Sequence, residues 1–423
     1  MNVSVSGTGY VGLIQGVGLA KKGHSVTCVD IDRAKVESIN AGVPPIYEDG
    51  LKELLAEVRK NGFKATDDIR QAVLNSDITF VCVGTPSSRH GEIKLHQVRQ
   101  VAREIGEVLR EKDYHVVVIK STVVPGTTEG MIELLEEHSG KSYPKDFGVA
   151  MNPEFLREGS ALDDFFSPDR VVIGSTDKRT RDLIRKLYEG FDCEVVETNF
   201  REAEMIKYAS NALLATKLSF INEVGNVCKR MGIDTNVVAK GVGLDHRIGP
   251  KFLRAGLGFG GSCFPKDVSA LMHKATESGY YPRVLRAVLD VNRDQPGKLL
   301  YLLDNKLGSL SGKRIAILGL TFKENTDDVR ESPSLTIIKD LLMEHADLVL
   351  FDPMGMPAVM QLFPQLQYAQ SAQHAVHGAD AVLLLTEWPQ FQDVDYGDVY
   401  VLDGKNVFNT KDRRPKNYEG ICW

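Results

Sequence analysis

The sequence predicts an α/β protein in which two doubly wound domains are joined by a long central helix. At both ends of the chain, short runs rich in valine and isoleucine alternate with helical patterns, which is typical of parallel sheets buried between helices. Residues 201–231 contain no proline and are dense in alanine, leucine, lysine, glutamate and asparagine, which predicts one long helix. The chain has 423 residues, too many for one ordinary core and suited to two or three domains.

The N-terminal part is predicted to form one parallel sheet. Helical patterns at Gly12–Lys22 and Val98–Arg110 separate short runs of apolar residues, and this strand–helix alternation is typical of a doubly wound domain. The predicted strands are Val3–Ser6, Ser25–Asp30, Ile78–Val83, His115–Lys120, Phe147–Ala150 and Val171–Gly174.

The C-terminal part repeats this pattern after a polar hinge at Ser311–Lys313. The two ends therefore resemble two versions of one nucleotide-binding topology. We expect an N-terminal dinucleotide-binding domain at 1–199, a central helical region at 200–305 and a C-terminal α/β domain at 306–423. A long helix between two such domains more often supports dimerisation than acts as an isolated strut. The predicted C-terminal strands are Arg314–Leu318, Leu348–Phe351, Ala381–Leu385 and Tyr400–Leu402.

Composition and charge exclude several classes of protein. Hydrophobic residues make up 43% and charged residues 26% of the chain, which excludes a disordered or fibrous protein. The formal net charge of −6 argues against a general binder of nucleic acid or anionic membrane. No apolar run approaches the roughly 18 residues that span a bilayer. The first residues already read as a strand and have no secretory-signal pattern, so we expect a cytoplasmic protein.

The six cysteines are far apart and form no CxxC pair. This spacing supports neither a zinc or other metal site nor a disulfide framework. We therefore expect a reducing compartment and no bound metal. The cysteines are Cys28, Cys82, Cys193, Cys228, Cys263 and Cys422.

A glycine-rich turn between the first strand and the first helix predicts a dinucleotide site. In the motif GTGYVG, Gly7 permits the tight turn, Gly9 allows the pyrophosphate to approach, and Gly12 allows close helix–strand packing. Asp30 ends the next strand, where its carboxylate can accept both ribose hydroxyls and repel a 2′-phosphate. These features predict a Rossmann-like site for NAD, with a merely structural glycine turn as the alternative. Two further residues of the motif, Tyr10 and Val11, are predicted to contact the cofactor.

Hydroxyl residues follow two other predicted strands, Thr85 after Val83 and Thr122 after Lys120. Ligands of open α/β sheets bind beyond the carboxyl ends of the strands, so these hydroxyls are candidates for the cofactor site. Hydrogen bonding to the backbone of their own loops is an equally good interpretation.

The segment GFGGSCFPKD at residues 258–267 contains the strongest candidate for a nucleophile. Pro265 is preferred at the first helical position, which places Cys263 just before a helix N-terminus and beside Lys266. Both features favour the reactive thiolate, and Asp267 lies four residues after the cysteine. An inert buried thiol is the alternative.

Two other segments carry polar pairs. Lys207 and Asn211 are four residues apart on the predicted long helix and share one face, which suits stabilisation of an oxyanion. The loop NPEFLREG contains Glu154 and Glu158, either of which can act as a base toward water. A solvated helix face and an ordinary charged loop are the alternatives.

These segments together resemble the UDP-glucose/GDP-mannose dehydrogenase family over essentially the whole chain. The resemblance rests on the order and spacing of seven motifs. Among members of the family, those that oxidise UDP-glucose are the most similar, because Phe264 follows the cysteine and the NPEFLREG loop is complete. The motifs are GTGYVG, VGTP, STVVPGTT, NPEFLREG, EMIKYASN, FGGSCFPKD and FKENTDDVRES.

The resemblance implies oxidation of the C6 alcohol of a sugar nucleotide to a carboxylate, with two hydride transfers to two NAD. Cys263 is implied as the nucleophile that forms a thiohemiacetal and then a thioester. Lys207 and Asn211 would stabilise the oxyanion, and Glu154 would be the base in thioester hydrolysis. Asp267 and Thr122 would position water or assist proton transfer.

The resemblance also implies ligand contacts and a dimer. Lys35, Glu158, Lys266 and Arg330 join the predicted cofactor residues, and Arg247 would reach the sugar nucleotide from the neighbouring subunit of a homodimer. The C-terminal domain would hold the UDP group. The implied substrate residues besides Arg247 are Glu154, Phe155, Leu156, Lys207, Asn211, Phe252, Leu253, Gly260 and Lys323.

Two rival functions and two departures from the family pattern follow. GDP-mannose or a UDP-N-acetylhexosamine is the alternative substrate, and a nucleotide-binding sensor without turnover is the alternative of another class. Intact Cys263, Lys207, Asn211 and Asp267 argue against the sensor.

Pro125 stands one place later than in the commoner STVPxG order. Lys405 stands where many relatives have arginine, which replaces a bidentate fork with a point charge.

Overall fold

The computed structural model describes residues 1–88 and 90–423, with Lys411 described by its backbone alone. Its elements form an α/β fold with two sheets and a long central helix, which confirms the predicted fold class. The chain divides into two compact units, residues 1–210 and 211–423. The three-part division predicted from the sequence stays a prediction.

The first unit contains a sheet whose strands follow the order β3-β2-β1-β4-β5-β6-β7-β8. The order reverses direction between β1 and β4, which is the position where doubly wound sheets bind ligands. The strands are β1 (Asn2–Ser6), β2 (Ser25–Val29), β3 (Lys64–Thr66), β4 (Ile78–Val81), β5 (Val116–Ile119), β6 (Gly148–Met151), β7 (Arg170–Gly174) and β8 (Glu194–Thr198).

Strands β7 and β8 depart from the predicted parallel sheet. Strands β1 to β6 are parallel, whereas β7 runs antiparallel to β6 through the pair Met151–Gly174 and then parallel to β8. The connection from β6 to β7 packs Phe165 into the core beside Gly18. It therefore does not return to the amino end of the sheet, and β7 starts from the end where β6 stops.

Helices cover both faces of this sheet, so its strands are buried on both sides. Along β5, Val116 and Val118 belong to the core on one face, and Val117 and Ile119 belong to the core on the other. This alternation follows from the two-residue period of a strand and explains the continuous apolar runs in the sequence. The helices are α1 (Tyr10–Lys21), α2 (Arg33–Ala41), α3 (Leu51–Arg59), α4 (Ile69–Leu74), α5 (His96–Leu109), α6 (Thr127–Ser139), α7 (Ala161–Phe166) and α8 (Lys178–Leu187).

The predicted central helix is present as α9 (Phe200–Met231), which has 32 residues. It begins in the first unit and continues into the second. Because it contains no proline and many good helix formers, the whole stretch can extend without a break. The helices that follow in the second unit are α10 (Thr235–Gly243), α11 (Phe264–Glu277) and α12 (Arg283–Leu307).

The second unit contains a parallel sheet in the order β11-β10-β9-β12-β13-β14. This order matches that of β3-β2-β1-β4-β5-β6, so the two sheets share one topology. The strands are β9 (Arg314–Leu318), β10 (Asp347–Phe351), β11 (Gln367–Tyr368), β12 (Ala381–Leu384), β13 (Tyr400–Asp403) and β14 (Tyr418–Gly420), and the helices are α13 (Pro333–Met343), α14 (Met356–Leu362) and α15 (Ala372–Val376).

The C-terminal tail, for which the sequence suggested no role, completes the second unit. Its strand β14 pairs with β13, and Ile421 and Cys422 are buried in the core. Lys229 of α9 donates a hydrogen bond to the Gly420 carbonyl at 2.8 Å, and Thr235 donates one to the Cys422 carbonyl. The tail therefore fixes the second half of α9 to the sheet of its own unit.

Candidate active site

The glycine turn after β1 has the backbone geometry of a dinucleotide site. Gly7 has a φ of +96°, and a Cβ built on it would lie 2.9 Å from the Cys82 carbonyl oxygen. A Cβ on Gly12 would overlap the Gly7 carbonyl oxygen, whereas one on Gly9 would have no atom within 4 Å. Gly7 and Gly12 are thus required for packing, and Gly9 leaves open space at the N-terminus of α1. A helix N-terminus presents N–H groups and a positive dipole to phosphates.

Asp30 follows β2 and is fixed by hydrogen bonds from its own chain. One carboxylate oxygen accepts from the Thr8 backbone N–H at 2.8 Å and from the Thr8 hydroxyl at 2.5 Å, and the other accepts from the Asp32 N–H at 3.0 Å. Desolvation raises the pKa of Asp30, but these hydrogen bonds and the nearby Lys35 outweigh it and hold the pKa below its usual value. The carboxylate is therefore ionised and oriented, with lone pairs left for a ligand.

Tyr10 of the predicted cofactor set and Glu48 hold the loop that contains Glu158. The Gly159 N–H lies 2.7 Å from the Tyr10 hydroxyl oxygen and 2.7 Å from a Glu48 carboxylate oxygen. The other Glu48 oxygen accepts from the Ala161 N–H at 2.6 Å. The sequence analysis missed Glu48, whose burial is visible only once α7 is placed against α1.

The two threonines at strand ends are differently placed. The Thr85 hydroxyl is buried and donates to the Thr122 carbonyl oxygen at 2.8 Å. Its donor thus serves the loop backbone, which was the alternative interpretation, while its lone pairs stay open to a ligand. Thr122 is partly exposed, and its cofactor and proton-transfer roles stay predictions.

Glu154 and Lys207 form a buried ion pair in the first unit. The Lys207 Nζ lies 2.7 Å from one Glu154 oxygen, and the two side chains are only 3% and 6% exposed. The second Glu154 oxygen accepts from the Leu156 N–H at 2.6 Å. Desolvation raises the pKa of Glu154, but Lys207, the Leu156 N–H and Lys120 outweigh it, so the pKa stays below its usual value. Breaking a buried pair of this kind is costly because one charge is left uncompensated.

A second buried cation, Lys120, lies behind this pair and was missed by the sequence analysis. Its Nζ donates to the Asn152 side-chain oxygen at 2.9 Å and to the Tyr188 hydroxyl at 3.2 Å. Asn152 in turn donates to the Val172 carbonyl at 2.7 Å, which fixes the start of the loop that contains Glu154. A lysine that ends an otherwise apolar strand was the available signal for it.

Phe155 lies beside the buried pair. The Arg170 guanidinium carbon is 3.7 Å from the centre of the Phe155 ring, and the Lys207 Nζ is 5.5 Å from it. Both distances are within the range of cation–π attraction. The aromatic face thus helps to hold two cations in a region with little access to water.

Cys263 lies at the N-cap of α11, which begins at Phe264. Pro265 is the second helical residue, one place later than predicted, and is still within the first turn, where proline is tolerated. The N-cap position favours a thiolate through the helix dipole. The Cys263 sulfur lies 3.6 Å from the Ser262 hydroxyl oxygen, and the residue is partly exposed.

The electrostatic surroundings of three other cysteines are those of neutral thiols. Burial raises the pKa of Cys82 and of Cys422 to about 12, and it also raises the pKa of Cys28. These three residues and Cys228 are buried, while Cys193 is partly exposed like Cys263. Position in the fold therefore sets Cys263 apart from the other cysteines.

Asp267 organises two neighbours of the cysteine in the second unit. It is 1% exposed, accepts from the Asn211 side-chain nitrogen at 2.6 Å and pairs with the Lys266 Nζ at 2.5 Å. Lys266, which was predicted to lie beside the thiol, forms an ion pair with Asp267. Asn211, which was paired with Lys207 in the prediction, is hydrogen-bonded directly to Asp267.

Four predicted substrate residues of the second unit have the following positions. The Phe252 ring packs edge-to-face on Phe264 with ring centres 6.1 Å apart, and Leu253 is buried. Gly260 lies so close to the Glu331 carbonyl oxygen that a Cβ would overlap it. The other predicted residue, Lys323, has its Nζ 5.8 Å from the Phe322 ring centre.

Arg247 and Arg330 each pair with an aspartate two residues earlier. Arg247 binds Asp245 with its closest contact at 2.6 Å, and Arg330 binds Asp328 with its closest contact at 2.7 Å. Both guanidinium groups are well exposed. Their predicted contacts with ligands stay predictions.

Lys405, the departure from the family pattern, lies 3.4 Å from a Glu387 oxygen and donates to the Phe322 carbonyl at 3.1 Å.

In the described ranges, 1–88 and 90–423, no helix is both long and apolar enough to cross a bilayer. Within those same ranges, no three histidine, cysteine or carboxylate side chains are grouped as metal ligands.

Models of one protein family match three successive parts of the chain. The UDP-glucose/GDP-mannose dehydrogenase family is matched by its NAD binding domain at residues 1–192, its central domain at 201–294 and its UDP binding domain at 316–411. The glycine turn and Asp30 lie in the first of these, and their geometry suits a dinucleotide. The predicted cofactor, NAD, is thereby confirmed.

Individual relatives are similar over nearly the full length. A UDP-glucose 6-dehydrogenase of Bacillus subtilis is 43% identical over 417 residues, covering 96% of this chain and 94% of that protein. A UDP-glucose 6-dehydrogenase of Haloferax volcanii is 43% identical with full coverage of both chains. The structure of a UDP-glucose dehydrogenase from Pyrobaculum islandicum matches with a TM-score of 0.96 at 43% identity, covering 100% of this chain and 97% of that one.

Replacing Asp30 should change the choice of cofactor. Asp30→Ala removes the charge that disfavours a 2′-phosphate, so the ratio of kcat/KM for NADP to that for NAD should rise at least about tenfold. Steady-state kinetics with both cofactors measures this ratio. Asp32→Ala, which alters an exposed carboxylate two residues later, is the matched control. An unchanged ratio in Asp30→Ala would show that another group sets the preference.

Replacing Lys207 should make stability fall as pH rises. In the wild type the pKa of Glu154 is below its unfolded value, so this carboxylate stabilises the fold at neutral pH and loses that contribution only in acid. Lys207→Met removes the nearest cation, and desolvation then raises the pKa of Glu154. The stability deficit should be small in acid and reach about 3–5 kcal/mol in mild base.

Equilibrium urea unfolding across this pH range measures the deficit. The double variant Lys207→Met/Glu154→Gln is the control, because its deficit should not depend on pH in this way. A deficit in Lys207→Met that is constant from acid to base would contradict the assignment of the pair.

Proposed function

Because the chain belongs to the UDP-glucose/GDP-mannose dehydrogenase family, we propose that it oxidises UDP-glucose to UDP-glucuronate and consumes two NAD per product. The observation that carries this proposal is the position of Cys263 at the N-cap of α11, on a glycine loop, in a chain 43% identical to UDP-glucose 6-dehydrogenases. A partly exposed thiol favoured as thiolate is what capture of an aldehyde requires.

In the proposed chemistry the Cys263 sulfur stays bonded to C6 through two successive intermediates. Bound NAD would accept a hydride from C6 in each of the two oxidations, and the C6 hydroxyl gives up its proton in the first to leave the aldehyde. After the first, the Cys263 sulfur adds to the aldehyde carbon, and the carbonyl oxygen takes up a proton to give a thiohemiacetal. Loss of a hydride and a proton then gives a thioester. Water attacks the thioester carbon, the carbon–sulfur bond breaks, and carboxylate and thiol are released.

Lys207 and Asn211 have the chemistry to stabilise the oxyanions of these steps. One supplies a positive charge and the other a directed N–H. Asn211 is oriented by its hydrogen bond to Asp267. Asp267 and Thr122 are proposed to position water or assist proton transfer. We assign oxyanion stabilisation to Lys207 and Asn211 on the strength of the family resemblance and these local contacts.

Glu154 is proposed as the base that activates water for thioester hydrolysis. A general base must be unprotonated at the working pH, and the low pKa of Glu154 satisfies this requirement. Its partner Lys207 is also the residue proposed to donate a hydrogen bond to the oxyanion. When Lys207 turns toward an oxyanion, the Glu154 carboxylate loses its closest cation and becomes a stronger base.

The ligand contacts are proposed from the family pattern. Tyr10, Val11, Lys35, Glu158, Lys266 and Arg330 are assigned to the cofactor, beside the glycine turn and Asp30. The UDP group of the sugar nucleotide is assigned to the C-terminal domain. The proposed substrate residues are Phe155, Leu156, Phe252, Leu253, Gly260 and Lys323.

We further propose that the active form is a homodimer in which Arg247 reaches the substrate of the neighbouring subunit. An apolar stripe on α9 from Leu213 to Met231 supports this. Leu213, Phe220, Val227 and Met231 recur at helical spacing and are 63%, 53%, 53% and 66% exposed. Exposed apolar patches of this kind mark interaction surfaces, and a shared symmetric interface is the commonest arrangement in oligomers.

The proposed location is the cytoplasm. Its support is chemical, since a nucleophilic thiol must stay reduced and the cytosol maintains thiols in that state.

The stoichiometry tests the four-electron reaction. Two NADH should be released per UDP-glucuronate, measured by absorbance and by chromatography of the acid. Cys263→Ala should bind NAD as the wild type does but release essentially no acid, because no thioester forms. Cys193→Ala, the other partly exposed cysteine, should keep normal turnover.

Three outcomes would overturn parts of this account. One NADH per product would exclude the four-electron reaction, and near-normal turnover in Cys263→Ala would exclude the nucleophile. A higher kcat/KM with GDP-mannose or a UDP-N-acetylhexosamine than with UDP-glucose would reassign the substrate.

Charge placed on the α9 stripe should weaken the dimer. Phe220→Glu/Val227→Glu should raise the dissociation constant at least about tenfold, because two apolar contacts become buried charges. Sedimentation velocity over a range of concentrations measures this constant. Leu362→Glu, at an exposed apolar residue of α14, is the control. A double variant that dimerises like the wild type would place the interface elsewhere.

A further inference from the structure

We propose that four amide side chains, Asn222, Asn226, Asn292 and Gln295, act as positioning residues that hold the loop of Cys263 in its reactive place. We call this set the amide clamp. The inference rests on the proposed function in that Cys263 is taken as the nucleophile. The clamp residues come from α9 and α12 and hold the glycine-rich loop 256–261.

One part of the clamp fixes the start of the loop. The Gly256 N–H donates to the Asn222 side-chain oxygen at 2.8 Å, and the Gln295 side-chain nitrogen donates to the Gly256 carbonyl at 2.7 Å. The Asn226 nitrogen donates to the Gln295 oxygen at 2.7 Å, which orients that side chain. Asn222 and Gln295 are fully buried, so both backbone groups of Gly256 have partners in a region closed to water.

The other part of the clamp fixes the loop four residues before the cysteine. The Phe259 N–H donates to the Asn292 oxygen at 2.7 Å, and the Asn292 nitrogen donates to the Phe259 carbonyl at 3.0 Å. One amide thus satisfies both backbone groups of one residue, as a neighbouring strand does. Gly258 has a φ of +92°, and a Cβ there would overlap the Asn292 oxygen. The backbone must pass directly over this side chain.

The rest of the loop is held by backbone groups of the same unit. The Leu257 N–H donates to the Gly404 carbonyl at 3.0 Å, and the Gly261 N–H donates to the Arg330 carbonyl at 2.9 Å. The loop therefore has fixed partners from its first residue to the residue two before Cys263. A shift of the loop would break several buried hydrogen bonds together, each costly to leave unmade.

The chemistry of an amide explains why these side chains suit the task. A carboxylate can only accept and an ammonium can only donate, whereas an amide does both. An amide also places no net charge near the thiolate, whose reactivity depends on local charge. Since a misplacement of about 1 Å can cost a hundredfold in rate, a neutral clamp that fixes the backbone is a means of setting the sulfur position.

Helix α9 connects the clamp to a residue of the proposed active site. Asn211 and Asn222 are separated by three helical turns and so lie on one face of α9. Asn211 bonds to Asp267 and Asn222 bonds to Gly256. The same helix face thus holds the segment before Cys263 and the helix after it.

The test compares clamp variants in the full-length protein. Asn292→Ala should lower kcat roughly tenfold to a hundredfold. The KM for NAD should change less than about twofold, since Asn292 bonds Phe259, which is not among the proposed cofactor residues. The rate at which iodoacetamide alkylates Cys263, followed by mass spectrometry, should change by a factor of about five or more. Gln392→Ala is the matched control. The Gln392 side-chain nitrogen donates to the Val407 carbonyl at 2.9 Å, and Val407 is not part of this loop.

A second variant separates positioning from a general loss of stability. In Asn292→Asp the protonated acid can still donate to the Phe259 carbonyl, whereas the carboxylate cannot. Its kcat relative to wild type should therefore be higher at about pH 6 than at about pH 8.5. A merely structural role would give no such recovery, and circular dichroism confirms that the variants are folded.

The outcomes distinguish the two proposals. If Cys263→Ala turns over normally, the proposed function is wrong. If Cys263→Ala is inactive while Asn292→Ala and Asn292→Asp both match the wild type in kcat and in alkylation of Cys263, the clamp is wrong. If Asn292→Ala does not fold, a kcat of Asn292→Asp that shows no recovery toward about pH 6 likewise overturns it.

Discussion

Close packing around the glycines of the loop before Cys263 is the constraint on which the proposed active site depends. A Cβ on Gly258 would overlap the Asn292 side-chain oxygen, and one on Gly260 would overlap the Glu331 carbonyl oxygen, so the loop has no room for side chains at these two positions. The backbone groups of Gly256 and Phe259 bond to partners outside the loop. Buried polar groups without partners are strongly disfavoured. The amides and carbonyls around the loop therefore position Cys263 at the N-terminus of α11, where a helix dipole favours a thiolate.

The buried carboxylates likewise have partners within the protein that stabilise their charge. Glu154 is ionised in an environment that would otherwise protonate it, because Lys207 bonds it directly and Lys120 lies nearby. Asp267 is buried with Asn211 and Lys266 as partners. Each predicted catalytic carboxylate is thus paired with a group that has a second proposed task, which gives the resting protein stability and leaves charges that a substrate can redirect.

The sequence allowed the fold and the glycine turn to be predicted because these depend on local patterns. Alternating apolar runs indicate buried strands, and GTGYVG followed by Asp30 indicates a dinucleotide turn. The antiparallel entry into β7 could not be predicted, since it follows from how Phe165 packs on α1. The amides of the clamp and Lys120 were also missed, because an asparagine or lysine in an element becomes informative only when its partner across the core is known. The pairing of Lys266 with Asp267 was missed for the same reason.

Mass spectrometry of the intact Glu154→Gln variant after reaction with UDP-glucose and NAD tests the central claim most directly. Without a base for hydrolysis, each subunit should produce two NADH and then stop, with the oxidised sugar nucleotide attached as a thioester. Peptide mapping should place the adduct on Cys263, and hydroxylamine should release it. Two NADH per subunit with no adduct, or an adduct on a different residue, would contradict the account.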